Sequence, residues 1–493
     1  MLSAGVIDRL RAALMQAGFT YDGVASALGE EGHAALLRNE TTPGLRRTRG
    51  GTPIETLTRL WPLQAAVSAS EAEAALPGLV DPLCAAGFLE QSVSTVRARI
   101  DLRPYADSSD QGGNDWWVVS DLTPGLDGTG NRVSAHHVLG ISAASTSLAQ
   151  LTIREQVGSA LDLGTGCGVQ SLHLTQHVDS VVATDVNPRA LAMARLNAAL
   201  NEVSYDVRDG SLYDPVHDDT FDLIVTNPPF VVSPGTGELL VYRDSGLPGD
   251  EVVRRVVTGA PDHLNDGGWC QVLANWVHVE GRPWEERLAG WLDGLGCDAW
   301  VVQREVTDPA SYVELWLRDA GHDRSPDYLQ RYDAWLGWLE EQGVTGIGFG
   351  WINLHKRGER RSGGERVRIE HWPYEVEQPL GAEIAAWGRR IGATNLLDSA
   401  LTRRADVRQE TFGAPGAEDP ETIVLRQQRG MRRAREVDTV EAALVGALDG
   451  DLTPRQVATA VAQLLDADAN EAVAGVEQRL PGLVEEGFLE SAE

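Results

Sequence analysis

The chain has 493 residues, 42% of them hydrophobic, and a formal net charge of -30. The length predicts about three domains, and no apolar run of about 18 residues is present that could span a membrane. Such an acidic surface repels phosphate backbones at long range and disfavours a protein that coats DNA. Four widely spaced cysteines and no visible secretory signal predict a cytoplasmic protein without a bound metal.

Residues 1–105 are predicted to form a helical, winged-helix-like domain. Thr52 and Glu55 have the spacing of a capping box, which marks the start of a helix. A later helix ends at Gly87, and the stretch from Val93 to Leu102 alternates apolar and polar residues as a strand does. Helices followed by a hairpin resemble a winged-helix module.

The C-terminal residues repeat part of this pattern. Residues 483–490 mirror residues 83–90, and both segments contain Gly-Phe-Leu-Glu. We therefore predict a second, truncated winged-helix-like module over residues 437–493, preceded by an extension with a basic segment at 376–436. The alternative is two unrelated helical caps that share a C-cap glycine.

Residues 106–375 are predicted to form an α/β domain. Turn-forming residues cluster at 108–113 and 124–130, on either side of a short apolar segment. From residue 133 to about residue 355, apolar strands alternate with helices. This alternation is typical of a doubly wound α/β sheet.

A glycine-rich turn follows the first strand of that sheet. Asp162 ends an apolar strand, and Gly164, Gly166 and Gly168 then follow at every second position before a helix begins. Glycines let the backbone turn tightly and approach a ligand closely, although such a turn also occurs in nicotinamide-binding sites. Cys167 is expected to pack within the turn rather than to act as a nucleophile.

Polar residues also follow the next three strands. Asp185 ends a strand about 20 residues after the glycines, where a carboxylate can accept two hydrogen bonds from ribose hydroxyls. The third strand leads to Asp209. The fourth strand, Phe221 to Val225, ends in the motif Asn227-Pro228-Pro229-Phe230. All of these strand ends are expected at one edge of the sheet, where such folds bind ligands.

The run from Leu161 to Phe230 resembles the class I methyltransferases that use S-adenosylmethionine (SAM) and carry an Asn-Pro-Pro-aromatic motif. With Asn197, it is most similar to the HemK/PrmC branch, which methylates a release-factor glutamine, and to the adenine-amino methyltransferases. The resemblance implies a Rossmann-like sheet and SAM as cofactor, and a nicotinamide site would give the Asn-Pro-Pro-Phe motif no role. It implies these cofactor-binding residues: Asp162, Gly164, Thr165, Gly166, Gly168, Asp185, Val186, Asp209, Gly210, Ser211 and Asn227.

The expected adenine contact departs from the pattern of this family. Many relatives have Asp in a Gly-Asp-Leu-Phe run, where the carboxylate receives the adenine amino group. Here the matching run is Gly210-Ser211-Leu212-Tyr213. Either Ser211 makes a weaker hydrogen bond to the adenine, or Asp209 reaches it instead.

The catalytic residues are predicted to be Asn227, Pro228, Pro229 and Phe230. The Asn227 side-chain carbonyl and the Pro228 backbone carbonyl can accept the two N–H bonds of a planar nitrogen and aim its lone pair at the methyl group. The prolines stiffen the turn, and Phe230 can stack on the flat substrate. No strong base is needed, so catalysis is mostly positioning and oriented dipoles.

Two further segments are candidates for a role at the site. Residues 138–142 precede the first strand, where relatives often close over SAM, and the histidine pair at 136–137 beside them is expected to be structural. The segment 242–250 is either a substrate loop, with Arg243 or Asp250 as contacts, or an ordinary surface loop.

Three basic islands interrupt the acidic chain, at residues 46–49, 355–368 and 426–435. They either hold phosphates or form solvated loops balanced by nearby acids. The leading hypothesis is therefore an N-methyltransferase acting on an exocyclic base amine of nucleic acid, RNA rather than DNA. There are two alternatives. The first is an enzyme that methylates a glutamine of a translation protein, as the release-factor enzymes do. The second is a non-catalytic, SAM-binding regulatory winged-helix protein.

Overall fold

The computed structural model describes most of the chain, and its contacts divide the chain into two compact units. The described residues are 2–107, 114–128, 134, 136–235, 245–323, 325–358, 364–415, 420–464 and 466–492. The first unit comprises Met1–Ala149, Glu155–Arg357 and Val367–Trp372, and the second comprises Gln150–Arg154, Gly358–Arg366 and Pro373–Glu493. The domain boundaries predicted at residues 105, 375 and 436 stay predictions. None of the helices described is long and apolar enough to cross a membrane.

Helices and a small sheet begin the first unit. Their bounds are α1 (Ala4–Gln16), α2 (Tyr21–Leu36), α3 (Thr42–Arg47), α4 (Pro53–Leu60), β1 (Val67–Ser68), α5 (Ala69–Ala75), α6 (Val80–Ala85), β2 (Leu89–Gln91) and β3 (Thr95–Ala98). The sheet order is β1-β3-β2, and both pairings are antiparallel. The predicted capping box is present at Thr52 and Glu55.

The predicted strand from Val93 to Leu102 is wrong in its extent, because the chain forms two strands there. β3 pairs with β2, whereas β4 (Asp101–Ala106) pairs with β5 (Asp115–Ser120). The break falls between the two strands, at residues 99–100. Alternation of apolar and polar residues shows which side chains share a face but not which strand is the partner, so it could not reveal the break.

The rest of the first unit alternates strands and helices. Their bounds are α7 (Ala143–Leu151), β6 (Val157–Leu163), α8 (Val169–Leu174), β7 (Val178–Asp185), α9 (Pro188–Leu200), β8 (Asp206–Asp209), β9 (Phe221–Thr226), α10 (Glu251–Gly259), β10 (Leu264–Val279), α11 (Trp284–Leu292), β11 (Cys297–Thr307), α12 (Pro309–Asp319), α13 (Tyr328–Glu341), β12 (Val344–Lys356) and β13 (Val367–His371). The last two residues of α7, Gln150 and Leu151, belong to the second unit.

The eight strands β6 to β13 form one sheet in the order β13-β11-β12-β10-β9-β6-β7-β8. From β10 to β8 all neighbours are parallel, and β12 lies antiparallel between β10 and β11. This mixed sheet confirms the predicted Rossmann-like architecture. The chain moves outward from β6 through β7 and β8, then returns to β9 on the other side, so a topological switch point lies between β6 and β9. Ligands of such sheets bind at the carboxyl ends of the strands at that point.

The second unit has its own core and two small sheets. Its elements are α14 (Gly381–Arg390), β14 (Leu401–Arg403), β15 (Val407–Phe412), β16 (Thr422–Gln427), β17 (Ala434–Val437), α15 (Thr439–Ala447), α16 (Pro454–Leu464), α17 (Ala469–Glu485) and β18 (Leu489–Ser491). β15, β16 and β17 form an antiparallel sheet, and β14 pairs with β18. The core includes Leu401, Leu425, Leu444 and Phe488.

The repeated Gly-Phe-Leu-Glu sequence has the same local geometry in both places. Gly87 has a φ of 78° and Gly487 a φ of 79°, a left-handed conformation that favours glycine. The amide of Phe88 donates to the carbonyl of Leu83, and residues 488 and 483 make the same bond, both at 2.9 Å. Each segment therefore ends a helix and turns directly into a strand.

Asn197 on α9 joins the β4–β5 hairpin to the glycine turn of the large sheet. Its Oδ1 accepts from the amide of Val119 at 2.8 Å, and its Nδ2 donates to the carbonyls of Val119 (2.9 Å) and Cys167 (2.7 Å). The side chain is fully buried. The side-chain amide of Asn197 thus forms hydrogen bonds with three backbone groups that the helices and sheets do not pair themselves.

We predict that Asn197→Ala lowers the free energy of unfolding by about 3 kcal/mol, because the three backbone groups lose their partner in a buried place. Urea denaturation followed by circular dichroism measures the change. Asn470→Ala, at an exposed position of α17, is the matched control and should leave the midpoint unchanged. Equal midpoints for both variants would contradict this role of Asn197.

Candidate active site

A cavity of about 620 Å³ lies at the carboxyl ends of β6, β7 and β9 in the first unit. This volume falls within the range of roughly 300–1,000 Å³ that is usual for small-molecule sites. The predicted site residues that line the cavity are Asp162, Gly164, Thr165, Gly166, Asp185, Val186, Gly210, Ser211, Asn227, Pro228, Pro229 and Phe230. Gly168 and Asp209, which the structure also describes, are not among the lining residues.

The glycines of the turn serve two different purposes. Gly164 and Gly166 have φ values of 74° and 58°, and a Cβ added to either would meet no atom within 4 Å. The backbone conformation is therefore what requires glycine at these two positions. At Gly168 a Cβ would lie 2.5 Å from the hydroxyl of Tyr205 and 3.3 Å from the Cα of Ala194, so this glycine allows the turn to pack against α9.

Asp162 connects the glycine turn to the start of α8. Its Oδ2 accepts from the Thr165 hydroxyl (2.6 Å), the Ser171 amide (2.9 Å) and the Ser171 hydroxyl (2.7 Å). Burial raises the pKa of Asp162 to about 6, and the neighbouring charge of Asp185 acts in the same direction. Asp162 therefore fixes the turn, and its raised pKa brings the titration of this carboxyl group to about pH 6.

Asp185 is held at the end of β7 by backbone amides. Its Oδ2 accepts from the Gly166 amide at 2.9 Å, and its Oδ1 accepts from the Asn187 amide at 2.8 Å. Burial also raises the pKa of this carboxyl group. Each carboxylate oxygen can accept a further bond, so Asp185 is fixed in place and still able to receive two hydroxyl groups of a ligand.

The two candidates for the adenine contact differ in their place. Ser211 lines the cavity and Asp209 does not, although both residues are exposed. Both lie at the end of β8, next to Gly210. The geometry therefore offers a serine hydroxyl, rather than a carboxylate, at this end of the cavity.

The Asn-Pro-Pro-Phe motif lies at the end of β9. The hydroxyl of Thr226 donates to the carbonyl of Leu163 at 2.7 Å and so ties the end of β9 to β6. Asn227 Oδ1 is buried, and no described residue donates a hydrogen bond to it. The ring of Phe230 meets the ring of Trp316 edge to face, with centroids 6.3 Å apart. The motif therefore presents an unused acceptor and an aromatic ring at the cavity.

Residues 136–140 and Ser142 also line the cavity; they include the histidine pair and most of the segment predicted to close over the cofactor. Two contacts hold this segment: the amide of Val138 donates to Asp121 Oδ2 (2.8 Å), and Asn187 Nδ2 donates to the carbonyl of His136 (3.1 Å). The segment is thus anchored close to the end of β7, where Asp185 lies.

Sequence reasoning missed several lining residues. They are Ser145, Gln170, Asn187, Leu212 and Arg255, whereas the lining residues Ser245 and Leu247 belong to the candidate substrate loop 242–250. Two of them are joined, since Gln170 Nε2 donates to the carbonyl of Ser145 at 2.7 Å. A polar residue in the first turn of the helix after the glycines was the available signal for Gln170. For Arg255 no local pattern existed, because α10 reaches the cavity only through the packing of the sheet.

Two other candidates have no catalytic place. Asp250 is buried and forms a two-pronged ion pair with Arg287 at 2.6 Å, and it accepts from the amide of Val277. It is therefore a structural residue of the sheet and not a substrate contact. Burial raises the pKa of Cys167 to about 12, so this thiol stays protonated. Arg243 lies outside the described residues.

The basic islands are largely balanced by acids or bound to backbone. In the second unit, Arg426 pairs with Glu410, and the other pairs are Arg429 with Glu377, Arg432 with Glu375, and Arg435 with Glu441 and Glu486. Lys356 donates to two backbone carbonyls, and Arg368 pairs with Glu370. Residues 359–361 of this second island lie outside the described residues. Only the island at 46–49 has arginines that are all exposed.

Among the residues that the structure describes, no group of three or more His, Cys, Asp or Glu side chains is placed to hold a metal ion. None of the four cysteines, all of which the structure describes, forms a disulfide bond.

Comparison with known proteins supports the same part of the chain as the functional region. Residues 139–282 match the methyltransferase small domain, and residues 16–99 match a domain of unknown function (DUF7059). Both matches lie within the first unit, apart from residues 150–154.

Three curated relatives overlap this region. The release factor glutamine methyltransferase of Geobacter sulfurreducens is 34% identical over 157 residues, which are 29% of this chain and 53% of that protein. The ribosomal protein uL3 glutamine methyltransferase of Bradyrhizobium diazoefficiens is 32% identical over 28% of this chain and 47% of its own length. The ribosomal RNA small subunit methyltransferase C of Erwinia tasmaniensis is 32% identical over 24% and 31%. The chain thus spans about half or less of the length of these relatives.

These matches support, for residues 139–282, the predicted class of a SAM-dependent methyltransferase and SAM as its cofactor. The residues of the cavity fit this cofactor. Two acids, Asp162 and Asp185, face a space large enough for a nucleoside, and a sulfonium with an ammonium group is the kind of cation that such acids favour.

We predict that SAM binds more weakly as the pH falls from about 7 to about 5. A cation binds best to ionised Asp162, so binding lowers the pKa of this group, and protonation near pH 6 weakens binding. Calorimetric titration at several pH values measures the dissociation constant.

Asp162→Asn is the control for this prediction, because it cannot titrate yet keeps an oxygen that can accept from Ser171. Its dissociation constant should change less over the same range, with the remainder due to Asp185, which also lines the cavity and whose pKa burial raises. An affinity of the unaltered protein that stays constant down to pH 5 would contradict the prediction.

Proposed function

We propose that this chain transfers the methyl group of SAM to the side-chain amide nitrogen of a protein glutamine. The observation that carries the proposal is Asn227 Oδ1, a buried acceptor at the cavity to which no described residue donates. A buried polar atom without a partner is costly. A substrate N–H bond at this place would remove that cost.

The mechanism follows from the motif. Asn227 Oδ1 and the Pro228 carbonyl accept the two N–H bonds of the amide and orient its nitrogen, while Phe230 packs on the planar group. Bound SAM supplies a methyl group on a positively charged sulfur. The nitrogen loses its proton after transfer, so a general base is not needed. The protein contributes position and fixed dipoles.

For the cofactor, we propose that Asp185 accepts the ribose hydroxyls and that Ser211 contacts the adenine. Asp162, Gly164, Thr165 and Gly166 then surround the amino-acid end, with Val186 and Gly210 beside the nucleoside. Gly168 acts through packing of the turn. Asp209, which does not line the cavity, is the less favoured partner for adenine.

Charge favours a protein over a nucleic acid as substrate. Residues 308–341, which hold α12 and α13, contain eight acidic residues and three arginines, and Trp316 of α12 contacts Phe230. An acidic surface beside the acceptor site repels a phosphate backbone. Two of the relatives are named glutamine methyltransferases.

RNA is the second candidate substrate, since Arg46, Arg47 and Arg49 are exposed around the end of α3. A translation protein and an RNA are both expected in the cytoplasm, which is the location we propose.

We also propose that residues 1–105 and 437–493 contain winged-helix-like modules. The order β1-β3-β2 after α4, α5 and α6 supports the first module. For the second module, α15, α16 and α17 are followed by β18, and β14, which precedes them, pairs with β18 while Thr402 bridges Asp449. β14 would thus belong to this module although it precedes the three helices in the chain. The exposed face of α17 carries Glu471 and Glu477 and suits a protein partner better than DNA.

Methyl transfer from labelled SAM tests the acceptor role of Asn227. We expect Asn227→Ala to lower the turnover number by at least about 100-fold, because one of two positioned acceptors is lost. The affinity for SAM, measured by calorimetry, should remain. Full turnover in this variant would contradict the mechanism.

The same assay identifies the substrate class. Release factors, ribosomal proteins and total RNA are offered separately, and the labelled product is digested and its modified residue identified by mass spectrometry. We expect label on a glutamine amide nitrogen. Label on an RNA base amine would replace protein with nucleic acid as substrate, and label on oxygen or carbon would refute N-methylation.

A further inference from the structure

The segment that follows the Asn-Pro-Pro-Phe motif is held by two side chains. The amide of Val232 donates to the hydroxyl oxygen of Tyr312 at 2.9 Å, and Trp335 Nε1 donates to the carbonyl of Val232 at 2.9 Å. All three residues are fully buried. Both backbone polar groups of one residue, two positions after Phe230, are thus fixed by side chains of other elements.

Those side chains belong to the helical hairpin formed by α12 and α13. Tyr312 lies on α12 and Trp335 on α13, and their rings meet edge to face with centroids 6.3 Å apart. The Tyr312 hydroxyl oxygen also accepts from Asn275 Nδ2 of β10 at 3.2 Å. The hairpin is inserted between the antiparallel neighbours β11 and β12. Val232 is therefore connected through it to the large sheet.

The motif itself has few means of holding its shape. Pro228 and Pro229 have no amide hydrogen and cannot donate to a neighbouring strand. The end of β9 is fixed before the motif by the bond from Thr226 to Leu163. A second fixed point is needed after the motif if the Asn227 and Pro228 carbonyls are to keep one direction. On that side, side chains bind both backbone groups of Val232, and the carbonyl of the next residue, Ser233, accepts from the amide of Gly249 at 2.8 Å.

We propose that Tyr312 and Trp335 are positioning residues for methyl transfer. They hold Val232 and thereby fix the direction in which the two acceptor carbonyls point. This proposal depends on the proposed function, since it needs the motif to receive the substrate nitrogen. Neither side chain lines the cavity, so neither touches the cofactor or the substrate. A displacement of about 1 Å in such a site costs about 100-fold in rate.

The test uses the full chain and the variants Tyr312→Phe and Trp335→Phe. Each keeps an aromatic ring and removes one hydrogen bond to Val232. Tyr328→Phe is the matched control, because Tyr328 is a half-buried tyrosine of the same hairpin, whereas the described hydrogen bonds of Val232 come from Tyr312 and Trp335. We expect the turnover number of the first two variants to fall by roughly 10- to 100-fold, with the affinity for SAM unchanged. The control should match the unaltered protein.

A second readout does not depend on the substrate. Hydrogen exchange of peptides that cover residues 227–233 is measured in the free protein, and we expect faster exchange in Tyr312→Phe and Trp335→Phe but not in the control. Unchanged exchange, or a full turnover number in both variants, would overturn the proposal. A purely structural role would instead lower the melting temperature and weaken SAM binding in parallel with turnover.

The two readouts separate this proposal from the proposed function. If the unaltered protein transfers no methyl group to any nitrogen, the proposed function fails, and unchanged exchange would show independently that the side chains do not hold the segment. If transfer occurs and only the variants lose it, both proposals stand.

Discussion

A side-chain carbonyl oxygen buried without a donor is the constraint on which this structure's chemistry depends. Leaving such an atom unpaired costs about 1–3 kcal/mol, and folded proteins carry few of them. Asn227 Oδ1 is one, and it lies where the strands of a Rossmann-like sheet bring their carboxyl ends together. The fold thus leaves this acceptor without a donor at the cavity where we propose that the substrate binds.

The two sides of the cavity around this acceptor differ in charge. Asp162 and Asp185 are held by hydrogen bonds within the glycine turn and give one side of the cavity a negative character. On the other side, Asn227 Oδ1 is a neutral acceptor close to the ring of Phe230. A cation and a planar nitrogen would therefore be drawn to different groups that line one cavity, so that the nitrogen can lie next to the methyl group it receives.

The sequence predicted those parts that depend on chain order and local conformation. Asp162, Asp185 and Asn227 each follow a strand, and parallel strands end at one edge, so their meeting in one cavity could be expected. Pairing and packing over long distances could not be read in this way. The strand predicted across residues 99–100 is divided because β4 pairs with β5. Asp250 forms an ion pair with Arg287 of α11, a helix that lies further along the chain. The basic residues of 426–435 find acids that lie far away in sequence, such as Glu377.

A crystal structure with S-adenosylhomocysteine and a glutamine-containing peptide tests the central claim most directly. The account predicts that the glutamine amide nitrogen lies within hydrogen-bond distance, about 2.7–3.2 Å, of both Asn227 Oδ1 and the Pro228 carbonyl, and that it faces the sulfur. A complex in which Asn227 Oδ1 bonds to another part of the protein, while the peptide amide lies elsewhere, would contradict it.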